Sequence, residues 1–582
     1  MNIDYVSFNS NIEGAEIKVE KFSEENGIII YHFVLKTKTT VQPSPVTLNF
    51  FAPALGFFSQ WSPLRDFERS LLPNWGRYLP ETPSRLAFGA PLQSFIGQDG
   101  QNKVCIAVSD VKTPIIIRSG LGESPIGADY QIEFFSSKTA PISEYSAYIR
   151  FDIRNIFYSE AILNAVSWWD EINSLPPAYV PEKAVMPVYS SWYNFHQNIN
   201  DEILISECEK AYKLGMRSII IDDGWQTKNS AGGYAYCGEW RLCKGKIKDM
   251  RKFTQRLHQI GMKVILWYSV PFVGKKTELW KKFKGKYLDN PDNEWNCLDP
   301  RFREVREYLI NTYETALEKW DLDGFKLDFI DEFRLTEFSS DGSNGCDFQS
   351  LEDALEKLLS DISRRLKSIK PDVLIEFRQS YVGPIVKSYG NMLRVGDCAN
   401  DMLRNRMGVI DLRLTSGKTA VHSDMIIWNY DDTNENVAKQ LIAVLFGVPQ
   451  ISVVLEKISE EHQRVLKFYL EFWIKHRDIL INGKFVPYNP ECLYSLVEAT
   501  KNDTSINVCY SKNVVKLHSH KTIIVNGTGE NYVIIASRQD TNISYTRTNC
   551  LGETVEIKKC RVCDKFCIEL AQSDVLTIVK EN

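Results

Sequence analysis

At 582 residues, with 44% hydrophobic and 25% charged residues, the chain has room for a central core of roughly 250–300 residues and smaller companions. A formal net charge of −5 offers no basic surplus for nucleic acid, and no stretch approaches the ~20 consecutive apolar residues of a membrane span. The opening MNIDYVSFNSNIEGAEIKVE has neither a basic start nor an apolar signal-like run, so a cytoplasmic location is the expectation.

From the start to about Arg154, short β-like runs such as IIIYHFVLKT, VTLNFFA, KVCIAVS and TPIIIRSG alternate with Gly, Pro, Ser and Asn, which reads as an antiparallel β-domain. The segment from Ile156 to Leu175 then carries apolar residues at helical spacing and is ended by Pro176, Pro177 and Pro181. The expected first unit is therefore 1–175.

After Lys183, apolar runs of strand length recur, each followed by an amphipathic helix: VMPVYSSWY, RSIIIDDGW, KVILWYSV, GFKLDFI, VLIEFRQS, MLRVGDC, KTAVHSDMIIW and VPQISVVL. Eight βα units without a glycine-rich phosphate loop predict an α/β fold with a (β/α)8 barrel over 176–483. Beyond Gly483 strand-like runs return, with Asn526-Gly527 as a hairpin signal, so a C-terminal β-sandwich is expected over 484–582. Thirteen cysteines include only the isolated pair Cys560 and Cys563 as CxxC, and reduced, mostly buried thiols are expected, with no metal and no cofactor.

Catalytic groups of a barrel gather at the C-terminal ends of its strands. Several runs end in charge there: Asp222 and Asp223, Lys326 and Asp328, Arg378, Arg394 and Asp397, and His422 with Asp424. In GFKLDFI, period-two alternation sends Phe325, Leu327 and Phe329 to the helix side and Lys326 with Asp328 to the barrel axis. A lysine neighbour favours an ionised aspartate, the state a carboxylate nucleophile requires. Asp397 is the candidate for the second carboxylate, which must hold a proton for the leaving oxygen. It also reads as a cap for the following helix, and Asp401 in the same DCAND stretch competes for the role. Adjacent Asp222 and Asp223 suit two neighbouring sugar hydroxyls, with Trp192, Trp225 and Trp267 as apolar walls.

IIIDDGW followed by FKLDF and an Arg-led strand ending in Asp resembles glycoside hydrolase family 36, whose clan includes the family 27 α-galactosidases. The resemblance implies Asp328 as nucleophile, Asp397 as acid/base, sugar binding by Asp222, Asp223, Trp225, Lys326 and Arg394, and a three-part layout. It also implies a retaining, exo-acting α-galactosidase, with a transglycosidase or an enzyme for another α-sugar (N-acetylgalactosaminide, glucoside, xyloside) as variants. An aromatic from the N-terminal region, Trp61 or Trp75, is a further candidate for the pocket. Where many bacterial members carry a Cys-Ser-Gly-Gly-rich turn after the fifth strand, this chain has Arg378-Gln379-Ser380-Tyr381-Val382-Gly383-Pro384, a bulky, charged turn that would reshape that wall of the pocket; Arg378 and Asp424 are also substrate-binding candidates. The expected partner is a small carbohydrate, with no nucleic acid and no membrane; self-association into a homo-oligomer is left open. A non-catalytic sugar-binding barrel is the reading from another class, and a metal hydrolase would need more than His422 and Asp424.

Overall fold

The computed structural model of the protein describes residues 2–74, 80–342, 345–381 and 383–581. At its centre eight parallel strands close into a barrel: β1 (Val188–Ser190), β2 (Ser218–Ile221), β3 (Lys263–Ser269), β4 (Gly324–Asp328), β5 (Leu374–Arg378), β6 (Met392–Arg394), β7 (Ala420–Ile426) and β8 (Val448–Ile451). All eight fall inside the runs expected from the sequence.

Local chemistry sets the boundaries. The helix Met250–Ile260 starts at Asp249, whose side chain accepts from the Lys252 amide, and stops at Gly261 in the left-handed region at φ 99°. Gly324 opens β4 where a Cβ would meet the Leu374 carbonyl oxygen at 2.2 Å, so only glycine lets β4 and β5 approach this closely. Phe325 and Leu327 pack outward in the helix-facing core, as alternation requires. Phe329 departs from that alternation. It leaves β4 at φ 64°, an uncommon conformation for an aromatic residue, and lies at the barrel mouth against Phe272 and Tyr234 with ring centroids 4.8 and 5.2 Å away.

N-terminal to the barrel, a five-stranded and a six-stranded antiparallel sheet face one another around their own core, including Phe33, Phe50, Ile117, Tyr130 and Phe151. The helix Tyr158–Ile172 joins them to the barrel. C-terminal to the barrel, one continuous ladder from Lys484–Tyr488 to Val575–Lys580 curls around a third core. The hairpin expected at Asn526-Gly527 is absent. Lys521–Asn526 pairs instead with Val575–Lys580 and, in parallel, with Thr504–Cys509, while the Asn526 side chain donates to the carbonyls of Leu570 and Glu530. The long hairpin of this region joins Tyr532–Thr548 to Thr554–Glu569.

The three regions meet on one carboxylate. Asp411, buried in the helix Met402–Thr415, accepts from Trp61 Nε1 at 2.8 Å, Arg69 Nη2 at 2.7 Å and Tyr494 Oη at 2.5 Å. Trp61 is therefore a fully buried interface residue and not part of a pocket wall. Trp75 lies outside the described residues. Among the described residues no helix is long and apolar enough to cross a membrane.

Candidate active site at the barrel mouth

Asp328 ends β4 at 5% exposure with both oxygens engaged. Oδ1 accepts from Arg378 Nε at 2.6 Å and from the Phe329 amide at 2.9 Å, and Tyr381 Oη lies 3.4 Å away. Oδ2 accepts from Trp267 Nε1 at 3.0 Å and lies 4.0 Å from Lys326 Nζ. Burial works to raise its pKa, but the positive charges of Arg378 and Lys326 and the indole N–H outweigh it and hold the carboxyl below the usual range. Asp328 is thus an ionised carboxylate with Oδ2 the less committed oxygen.

Lys326 Nζ donates to Asp222 Oδ2 at 2.7 Å. Burial would lower its pKa, and Asp222 more than compensates, so the ammonium stays charged. Asp223 accepts from Gln197 and Gln226, each at 2.6 Å, and burial raises its pKa against those two hydrogen bonds. Trp192 follows β1 and is half-buried against His196. Asp222, Asp223, Lys326 and Asp328 come from two neighbouring regions of the rim, β2 and β4, with β3 between them.

Across the mouth, Arg394 on β6 donates Nη2 to Asp397 Oδ1 at 2.8 Å and Nη1 to Asp424 Oδ1. Burial opposes it, but Arg394 dominates and holds the Asp397 carboxyl below the usual range. With the Asp397 side chain 59% exposed, solvent screening weakens that hold. Asp401 is the cap that Asp397 is not: its side chain accepts from the Arg404 amide at 2.9 Å and starts the helix Met402–Thr415.

Four of the residues expected to touch sugar are engaged with protein groups. Trp225 is fully buried, its indole N–H donates to the Trp267 carbonyl at 2.9 Å, and its ring packs on Trp240, Tyr268 and Trp320. Asp424 is fully buried and spends its oxygens on Arg394, Tyr193 Oη and the Cys398 amide. Arg394 is 1% exposed, with its donors turned toward protein carboxylates. Trp267, 2% exposed, donates its indole N–H to Asp328 Oδ2.

A cavity of about 350 Å³ opens beside Arg378 and Asp397, walled on the other side by Leu64, Asp66 and Phe88 of the N-terminal sandwich. A larger cavity of about 820 Å³ lies at the opposite end of the barrel, by Thr419 and Phe485, and includes none of the residues above.

A family model for melibiase matches residues 179–385, a span that runs from just before β1 through β5. An α-galactosidase of Lactobacillus acidophilus is 26% identical over 147 residues, and one of Escherichia coli 25% over 113 residues. These matches cover 24% and 19% of this chain and 20% and 16% of those proteins, so the chain matches about a fifth of their length. The solved α-galactosidase of Geobacillus stearothermophilus in complex with raffinose superimposes with a TM-score of 0.65 over the whole of this chain and 87% of that one, at 12% identity. The chain is melibiase-like.

The melibiase-like barrel also holds Glu376, Gln197 and Gln226, polar residues that the charged strand ends do not pick out, and His422, which they do. Glu376 on β5 is fully buried, accepts from Gln450 Nε2 at 2.5 Å and lies 3.7 Å from Arg394 Nε; burial pushes its pKa up to about 7 against Arg394 and Lys326. His422 donates Nε2–H to the Ala184 carbonyl at 2.7 Å, and burial lowers its pKa to about 4. Parity along VLIEFRQS puts Glu376 on the same side as Arg378, which is the signal that finds it. Gln197 and Gln226 sit in loops, where no periodic pattern marks them.

Proposed function

We propose that the protein is a retaining, exo-acting α-glycoside hydrolase, with an α-galactoside as the favoured substrate. The observation that carries this is the state of Asp328: ionised, pinned through Oδ1, with Oδ2 toward the Lys326 and Asp222 side of the mouth. Asp328 Oδ2 attacks the anomeric carbon as the leaving oxygen takes a proton from Asp397, and Asp397 then activates water to release the sugar. In the resting site the Arg394 pair keeps Asp397 ionised, which suits the base half of the cycle. The acid half calls for substrate to loosen that pair and raise the carboxyl pKa. Asp222, Asp223 and Lys326 hold hydroxyls of the bound sugar, and a cavity of about 350 Å³ opens beside Arg378 and Asp397 on the other side of the mouth.

The α-galactosidase activity of the relatives supports the galactoside, and Arg378 at the end of β5 stands beside the cavity as part of its wall. The reading carries with it a division at 175/176 and 483/484, shortly after the linking helix Tyr158–Ile172 and the long helix Glu460–Asn482, and a cytoplasmic location. A screen of aryl α-glycosides, comparing galactoside with N-acetylgalactosaminide, glucoside and xyloside, tests reaction and sugar together. Turnover of the galactoside with an early burst is expected. Sugar binding without turnover of any of the four would establish the non-catalytic reading instead.

A further inference from the structure

At the N-terminal end of β7, away from the mouth, the cavity of about 820 Å³ is shared by the barrel, the linking helix and the C-terminal ladder. Phe157 and Leu163 wall it at the linking helix, Val421 on β7, and Phe485 and Tyr488 on the first strand of the ladder. Its volume falls in the range of small-molecule sites. Into this largely apolar wall Arg413, half-buried in the helix Met402–Thr415, brings a charge. Its Nη1 donates to the Phe446 and Leu480 carbonyls at 2.7 and 2.9 Å, and its Nη2 to the Ile481 carbonyl at 2.9 Å. These bonds fix the guanidinium with its central carbon 4.5 Å from the Phe485 ring centroid. Nε donates to no group among the described residues.

Arg69, Arg378 and Arg394 each pair with an aspartate, whereas Arg413 forms no ion pair among the described residues. It meets only carbonyls, two of them in the last turn of the helix Glu460–Asn482, and a helix end carries only partial charge. Burial lowers its pKa to about 10, so at neutral pH the side chain is a cation without a counterion. Lys418 and Lys484 stand exposed on the same wall, with Glu160 as the one acidic lining residue among those described. The wall is therefore positive as well as aromatic. We propose that this cavity is a second ligand site, which takes a small aromatic carboxylate with its anionic head on Arg413 and its ring against Phe157, Phe485 and Tyr488. A planar carboxylate matches the guanidinium and supplies the missing counterion, and a flat apolar body covers the rings. The site lies outside the glycosidase reading and does not depend on it.

Calorimetric titration of the full-length protein with 2-naphthoate tests this, with 2-naphthamide as the neutral analogue of the same shape. The naphthoate is expected to saturate a single site, and the amide to bind at least about tenfold more weakly. Arg413→Gln is expected to weaken naphthoate binding by at least about tenfold, the effect of losing a charged hydrogen-bond donor. Because Arg413 also holds the end of a helix, two further variants keep the test sound if Arg413→Gln fails to fold. Lys418→Glu combined with Lys484→Glu reverses the charge at two exposed positions, and Leu163→Trp fills the cavity; each is expected to weaken binding several-fold. No binding at millimolar naphthoate, equal binding of the amide, or binding that every folded variant leaves unchanged overturns the proposal. Displacement of the naphthoate by galactose would put it at the mouth and overturn the proposal as well. A protein that turns over no aryl α-glycoside leaves this test intact and sinks the glycosidase reading alone.

Discussion

Arg378 and Lys326 address opposite oxygens of one carboxylate: Arg378 Nε lies 2.6 Å from Asp328 Oδ1, and Lys326 Nζ lies 4.0 Å from Oδ2. The short, hydrogen-bonded contact anchors the group, and the longer one leaves the second oxygen room to react.

Asp328→Ala is accordingly expected to lower turnover of an aryl α-galactoside by about a thousandfold or more while the protein stays folded. Added azide should enter the vacated space and attack the anomeric carbon directly, giving a glycosyl azide of inverted configuration that NMR identifies. Unimpaired turnover by this variant would remove Asp328 from the mechanism.

The two aspartates after β6 separate by experiment. Asp397→Ala should spare substrates with activated leaving groups and cripple natural ones, because only the latter need a proton on the leaving oxygen. Asp401→Ala should leave that ratio unchanged and cost about 1 kcal/mol of stability, the value of a helix cap. The reverse pattern would transfer the acid/base role to Asp401.

Glu376 makes a pH-dependent prediction whose sign follows from its raised pKa of about 7. Between the unfolded value of about 4.3 and the folded one, the folded chain holds a proton that the unfolded chain gives up, so this contribution to stability is lost as pH rises. Glu376→Gln is neutral at every pH. Denaturant midpoints should coincide near pH 4.5 and favour the variant by about 1–3 kcal/mol at pH 8.

Asp323, just before β4, behaves in the opposite sense. It is buried, accepts from His258 Nε2 at 2.6 Å, Lys263 Nζ at 2.9 Å and the Val264 amide at 2.9 Å, and has Lys370 Nζ at 3.3 Å. Burial opposes them, yet these partners hold the carboxyl well below its usual range. The stabilisation is present above the unfolded value of about 3.9 and fades as pH falls through the folded one. Asp323→Asn should therefore cost about 3 kcal/mol at pH 7, and the gap to wild type should narrow in strong acid.

The barrel is written plainly in the chain because strands buried on both faces must be apolar runs, and parity then aims Lys326 and Asp328 inward without further information. Parity stops where the strand does. Phe329 takes a left-handed turn and faces the mouth. Trp225 illustrates a different limit: a tryptophan beside two site aspartates looks like a sugar platform, yet its ring fills space behind the rim, a distinction set by neighbours such as Trp320, 95 positions away. Asn526-Gly527 has turn chemistry, but the ladder that closes the C-terminal core recruits Lys521–Asn526 into a non-local pairing that local sequence does not encode.

The carboxylate of Asp411 makes the flanking regions chemically indispensable to the barrel. Trp61 and Arg69 reach it from one flank and Tyr494 from the other, so a barrel cut free of both would lose all three donors to this carboxylate. The same helix begins at Asp401, four residues after Asp397, which makes this distant junction part of the footing on which one side of the mouth stands.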